Sequence, residues 1–183
     1  MTKFIINISI IVLFWSCKNN NQAAREPIQH QKTHVDMESV RHNQELNRRE
    51  EAYISNMIAK DTIHHYIDSG HGFWYYYLKQ NQKTKKTPEA GDQVLLNYEI
   101  KDLSGNIIYS FDEIGDKTYR VDHENYFRGF REAVKLLKEG ESAVFIFPSN
   151  AAYGFHGDEK KIGTNIPLIV ELKINKIDKQ KTE

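Results

Sequence analysis

The stretch VFIFPSNAAYGF, residues 144–155, decides the fold. Val144 through Phe147 have the β-branched and aromatic composition of a buried strand. Pro148 cannot donate to a strand ladder, so the strand ends there. Tyr153-Gly154 follows just past the break, where the glycine lets the chain turn closely behind the tyrosine ring. Taken alone, Tyr153 has two readings, a loop aromatic packed over the core or a hydroxyl presented to a ligand.

The flanks supply the partners of this strand. Upstream, NYFRGFREAVKLLKEGE (residues 125–141) places Phe127, Phe130, Val134 and Leu137 at i, i+3, i+7 and i+10. That apolar stripe predicts a helix over 127–138, with Gly140 suited to a left-handed position after it. Downstream, PLIVELKINKI (residues 167–177) alternates Leu168, Val170, Leu172 and Ile174 and predicts a long strand. Further upstream, QVLLNYEIKD (93–102) alternates with Val94, Leu96, Tyr98 and Ile100 on one face, LSGN (103–106) makes a turn, and IIYSF (107–111) and DKTYRVD (116–122) read as strands. GFWYYYLKQ (72–80) is an aromatic strand, separated from the rest by a loop with Pro88 and Gly91. The connections are too short for repeated crossovers, so the strands are expected to be antiparallel. One helix on one face of such a sheet is an α+β domain.

Ahead of this domain, Leu46, Tyr53, Ile54, Met57, Ile58 and His65 share one helical face. The periodicity places a helix within 38–67, stopped by Gly70 and Gly72, and the segment 46–68 is the N-terminal helix. It either packs on its own domain or makes a homodimer contact. Residues 17–45 are polar without a sustained period and read as a flexible tether. The N-terminus, MTKFIINISIIVLFWSC, carries a lysine, then an apolar run from Ile5 to Trp15, then Ser16-Cys17. The run is short for a bilayer core of about 30 Å and fits a secretory signal over residues 1–16. A small residue before the only cysteine resembles a bacterial lipobox, with Cys17 as the acylated residue and membrane anchor. An ordinary signal peptide or short anchor with an incidental cysteine is the alternative.

Composition narrows the function. Lys+Arg and Asp+Glu are balanced at 25 each, with no basic patch, so nucleic acid is not an expected partner. No G-x-S-x-G, P-loop, H-E-x-x-H or C-x-x-C is present, and the histidines are scattered apart from His64-His65 and His71. An enzyme built from this chain is expected to work without cofactor, metal or nucleophile.

What stands out is aromatic. Tyr98 on a strand, Tyr126, Phe127 and Phe130 at a helix start, and Tyr153 past a strand end could line one concave pocket. GDQVLLNYEIKDLSG, YFRGFREAVKLLKEGESAVFIFPSNAAYG and IPLIVEL, in that order and spacing, make residues 72–177 resemble the FKBP-type peptidyl-prolyl cis-trans isomerases. With the lipobox-like start and the SGHGFWYYY entry, the chain looks nearest to the FKBP-type lipoproteins of the gliding-motility machinery.

The resemblance implies a half-wrapped antiparallel sheet around one central helix, with the isomerase domain over 69–180. It implies catalytic positions Tyr98, Phe130 and Tyr153, the last donating to the carbonyl of a bound peptide. Ile108, Tyr109, Tyr119, Tyr126, Phe127, Ile162 and Val170 fall on the family's other substrate-binding positions. Tyr109 stands where the family has an aspartate, Phe130 where it has a tryptophan, and Val170 where it has a phenylalanine. Tyr126 and Phe127 are bulkier than their counterparts. The implied partners are proline-containing protein segments, met in the periplasm from a lipid-anchored position in the cell envelope. A binding module with little turnover and a dimeric holdase clamp are the competing functions.

Overall fold

The computed structural model describes residues 37–180. The signal segment 1–16, the lipidation candidate Cys17 and the tether up to residue 36 lie outside the described residues. The elements are α1 (Met37–Lys60), β1 (Ile67–Asp68), β2 (Trp74–Lys79), β3 (Gln93–Lys101), β4 (Ile107–Tyr109), α2 (Phe111–Ile114), β5 (Lys117–Arg120), α3 (Arg128–Leu136), β6 (Ser142–Phe147) and β7 (Leu168–Asp178).

All the strand pairs are antiparallel, in the order β1-β2-β6-β7-β3-β4, and β5 also pairs with β3. The two long strands, β3 and β7, form the sheet centre. Their alternation buries Val94, Leu96 and Ile100 from one and Leu168, Val170, Leu172 and Ile174 from the other. Against this face lies α3, whose Phe130, Ala133 and Val134 are fully buried together with Leu137 just beyond it. Each large apolar side chain removed from water in this way stabilises the fold by about 1.5–3 kcal/mol.

The ends of α3 differ slightly from the 127–138 expectation. Phe127 is the extended N-cap, and Leu137 leaves the helix in an extended conformation while its N–H still bonds Val134 O. Leu137 keeps its side chain in the core by this exit. Gly140, at φ +77°, therefore serves the turn into β6 rather than the helix end itself.

The N-terminal helix departs more from expectation. It starts at Met37, so residues 37–45 are helical rather than tether, and it ends at Lys60, so 61–68 are not helix. Upstream, the polar residues are good helix formers, and Glu45 pairs with Arg48 and Arg49 one turn on. Downstream, the Asp61 carboxylate accepts from the N–H groups of Ile63 (2.9 Å) and His64 (3.2 Å), a local turn that competes with helical bonding. Gly70 and Gly72, both at positive φ, shape the connection between β1 and β2 instead of stopping the helix.

The helix α1 is docked on its own domain. Ile54 is fully buried, and the Glu50 carboxylate accepts from both the N–H and the hydroxyl of Ser149, each at 2.8 Å. Ser149 is itself 1% exposed, so a chain lacking α1 would leave two donors unpaired next to the loop that carries Tyr153. Met37 and Tyr53 remain exposed on α1.

Candidate active site

The outer edge of β3 has a gap. Leu96 pairs with Lys117 of β5 and Ile100 with Tyr109 of β4, which leaves Asn97 to Glu99 without a strand partner on that side among the described residues. The short α2 bridges the two strands, capped by the Ser110 hydroxyl, which accepts from Glu113 N–H at 3.2 Å. A cleft of about 380 Å³ opens at the gap, lined by Tyr98, Ile100, Tyr109, Ile114, Tyr153 and Asp158 and by the charged Glu113, Lys117 and Lys160.

Beneath the cleft lies a layer of rings centred on Phe130. Its centroid is 4.9 Å from Tyr98, 5.7 Å from Phe127 and 6.1 Å from Tyr119, all edge-on, and 4.7 Å from Tyr126, which is stacked. Phe127 extends the layer to Tyr153, 4.9 Å away. Tyr153 reaches this place because β6 ends at Phe147 and two short 3-10 turns, Ser149–Ala151 and Gly154–His156, bend the chain around it.

Of the residues selected from the sequence, Tyr98, Tyr109 and Tyr153 line the open cleft. Ile108 and Tyr126 are half-buried and packed against the core. Tyr119, Phe127, Phe130, Ile162 and Val170 are buried in the floor and walls and do not face the open space. Sequence reasoning passed over Ile114, Glu113, Lys117, Lys160 and Asp158. Ile100 was already legible as an inward position on β3.

Asp158 matters most among these. Asp158, from the opposite loop, places a carboxylate beside Tyr109, the position where the resemblance expects one. The Tyr109 hydroxyl donates to Asp158, which also accepts from the N–H groups of Ile162 (2.8 Å) and Lys160 (3.0 Å). Burial would raise the Asp158 carboxyl, but the Tyr109 hydroxyl and these backbone donors outweigh it and hold it below the usual carboxylate range. Lys161 lies 4.8 Å from the centre of the Tyr109 ring and pairs with Glu113 at 2.6 Å. Tyr109 thus ties β4 to the Tyr153 loop without a charge of its own.

The Tyr153 hydroxyl has no hydrogen bond to another of the described residues, so it is available to a ligand. Burial, reinforced by the nearby Asp158 charge, pushes it up to about 12, and burial likewise raises Tyr98 and Tyr126. These phenols stay neutral donors at any physiological pH. Their folded values lie above the unfolded value of about 10, so the stability they contribute is complete below about pH 10. It declines as pH rises from there toward the folded value of about 12 for Tyr153. Thermal melts should therefore fall steeply above about pH 10, and absorbance near 295 nm should show Tyr153 ionising only close to unfolding. Ionisation of all ten tyrosines together near pH 10 in the folded protein would contradict this.

Among the described residues no group of three or more His, Cys, Asp or Glu side chains is arranged to hold a metal. His64 pairs with Asp61 at 2.7 Å and stacks on Tyr76.

Comparison with known proteins bears on this site. Residues 84–175 match the family described as FKBP-type peptidyl-prolyl cis-trans isomerase. The probable FKBP-type peptidyl-prolyl cis-trans isomerase FkpA of Neisseria meningitidis serogroup B is 34% identical over 128 residues, 69% of this chain. The chain spans 44% of the length of that curated relative. A peptidyl-prolyl cis-trans isomerase from Pseudomonas syringae pv. tomato superposes with a TM-score of 0.60 at 20% identity, over 74% of this chain and 96% of that one. FkpA from Escherichia coli gives 0.60 at 20% identity, over 78% and 63%. These two structures bear out the α+β fold with its antiparallel sheet and N-terminal helix.

Proposed function

Because the chain belongs to the family of FKBP-type peptidyl-prolyl cis-trans isomerases, we propose that its aromatic cleft accelerates cis–trans isomerisation of X–Pro bonds in extracytoplasmic proteins. The observation that carries this is the unpaired Tyr153 hydroxyl at the mouth of a layer of apolar rings.

The X–Pro bond resists rotation by about 18–20 kcal/mol because of amide resonance. Rotation breaks no covalent bond; the site has only to favour the twisted amide, in which resonance is lost. The planar amide is the more polar of the two. An apolar wall of Tyr98, Ile100 and Ile114, backed by the buried rings of Phe127 and Phe130, therefore penalises the ground state more than the transition state. The Tyr153 hydroxyl donates to the peptide carbonyl and fixes the register of the bound segment.

The test is exchange of short X–Pro peptides, followed by NMR, with residues 18–183 so that the docked α1 is kept. Wild type should accelerate exchange, and Tyr153→Phe should lose about tenfold in kcat/KM, the worth of one hydrogen bond of about 1–1.5 kcal/mol. Equal rates for the two proteins would remove Tyr153 from the site. No acceleration by folded wild type would leave the second reading, an FKBP-like binding or chaperone module with little turnover. One observation favours that reading: Phe130, the expected floor, is covered by Tyr126.

Placement in the cell is part of the proposal. The apolar run Ile5–Trp15 followed by Ser16-Cys17 supports a lipid-anchored lipoprotein facing the periplasm, and incorporation of labelled palmitate at Cys17 tests it. A role beside the gliding-motility machinery rests on the resemblance of residues 72–177 and of the N-terminal segment. A homodimer through α1 is supported by the exposed Met37 and Tyr53, and sedimentation of the same protein decides it.

A further inference from the structure

Tyr126 lies where a substrate's proline would have to pack. On the isomerase reading the proline ring rests on Phe130, yet Phe130 is fully buried. Its face is covered by the Tyr126 ring, parallel within 16° at 4.7 Å. Edge contacts at 6.2 Å from Tyr98 and 5.2 Å from Tyr119, and a hydroxyl hydrogen bond with Tyr98, hold Tyr126 there. The open cleft lies to the side of this stack, and neither Tyr126 nor Phe130 lines it.

The backbone around Tyr126 leaves its ring free to leave. Helix α3 begins two residues later, at Arg128, and Phe127 between them is extended at φ −61° and ψ 153°. Tyr126 therefore sits outside the helical hydrogen-bond ladder, its N–H bonded to Glu124 O at 3.0 Å. The ring is half-buried rather than enclosed. Rotation about its Cα–Cβ bond would uncover Phe130 without moving α3 or the sheet.

We propose that Tyr126 is the specificity-determining residue of this site: its ring occupies the proline position at rest, and a substrate must displace it from Phe130 to bind. The proposal rests on the isomerase reading above. It follows that the site discriminates against segments whose contacts with Tyr98, Tyr109 and Tyr153 are too few to replace the lost stack and the lost hydrogen bond between Tyr126 and Tyr98. Because the closed form reduces the fraction of protein competent to bind, the effect falls on KM and not on kcat.

The experiment compares wild type and Tyr126→Val, both as residues 18–183, with one short X–Pro peptide, and Tyr126→Leu stands in if the valine variant does not fold. The strength of an aromatic pair sets the expected fall in KM at roughly two- to twelvefold, with kcat retained. An unchanged or raised KM in a folded variant overturns the proposal and makes Tyr126 a wall of the site. If no protein accelerates exchange, the isomerase reading fails, and NMR titration of the same peptide then decides about Tyr126. Tighter binding by Tyr126→Val keeps it as the displaceable occupant of a binding site, and equal or weaker binding overturns it.

Discussion

Phe130→Ala should destabilise the protein by about 3–5 kcal/mol, measured by urea unfolding of residues 18–183. Phe130 is fully buried and in ring contact with Tyr98, Tyr119, Tyr126 and Phe127. Truncation removes the transfer energy of the ring and leaves a cavity under the cleft. Against a total stability of about 5–15 kcal/mol for a domain, such a loss is large enough to leave part of the chain unfolded. Loss of isomerase activity in this variant would then say little about catalysis. Phe130→Leu, which keeps most of the volume, is the variant that separates floor from core. One outcome would change the picture. A cost under about 1 kcal/mol would mean that Tyr126, already stacked on the ring, falls into the space and refills it.

The sheet and the central helix were legible in the sequence because burial imposes a period. Leu168, Val170, Leu172 and Ile174 alternate and Phe127, Phe130, Val134 and Leu137 form a stripe, so each element points its apolar face at the same core. The boundaries of α1 were not legible for the opposite reason. Its surface is mostly polar, and it ends at a local event, the Asp61 carboxylate taking backbone donors from Ile63 and His64, which leaves no mark on periodicity. Its docking was equally hidden, since Glu50 and Ser149 are 99 residues apart.

The site divides along the same line. That Tyr98 and Tyr153 line the cleft was legible because they stand in the motifs that carry the resemblance. The residues of α2 were missed because a four-residue helix has no period to read. Asp158 had a signal: a family position that normally holds a carboxylate is Tyr109 here, and the loop between Tyr153 and Ile162 contains acidic residues that could replace it. The stack of Tyr126 on Phe130 had none. Which way a ring turns at the start of a helix depends on one side-chain torsion, and sequence spacing does not encode it.

Gly129→Ala should likewise be strongly harmful, although helix propensity alone argues the other way. Alanine is favoured over glycine inside a helix by about 1 kcal/mol. At Gly129, however, an added Cβ would lie 2.6 Å from Cδ1 of Phe147 and 2.7 Å from the carbonyl oxygen of Ala151. Phe147 is a fully buried ring, and Ala151 offers backbone rather than a side chain that could rotate aside. Relief therefore requires α3 and the end of β6 to separate, and overpacking of this kind costs about 1–3 kcal/mol or more. The clash should outweigh the propensity gain, so unfolding in urea should shift to lower concentration. The same displacement moves the chain two residues before Tyr153. A shift of about 1 Å at a positioning group lowers rates by up to about a hundredfold, so peptide exchange should fall well beyond what the loss of folded protein explains. A Gly129→Ala protein that is more stable than wild type and equally active would show that α3 is not held against the Phe147–Ala151 corner. The cleft would then owe its geometry to the Asp158 and Tyr109 tie alone.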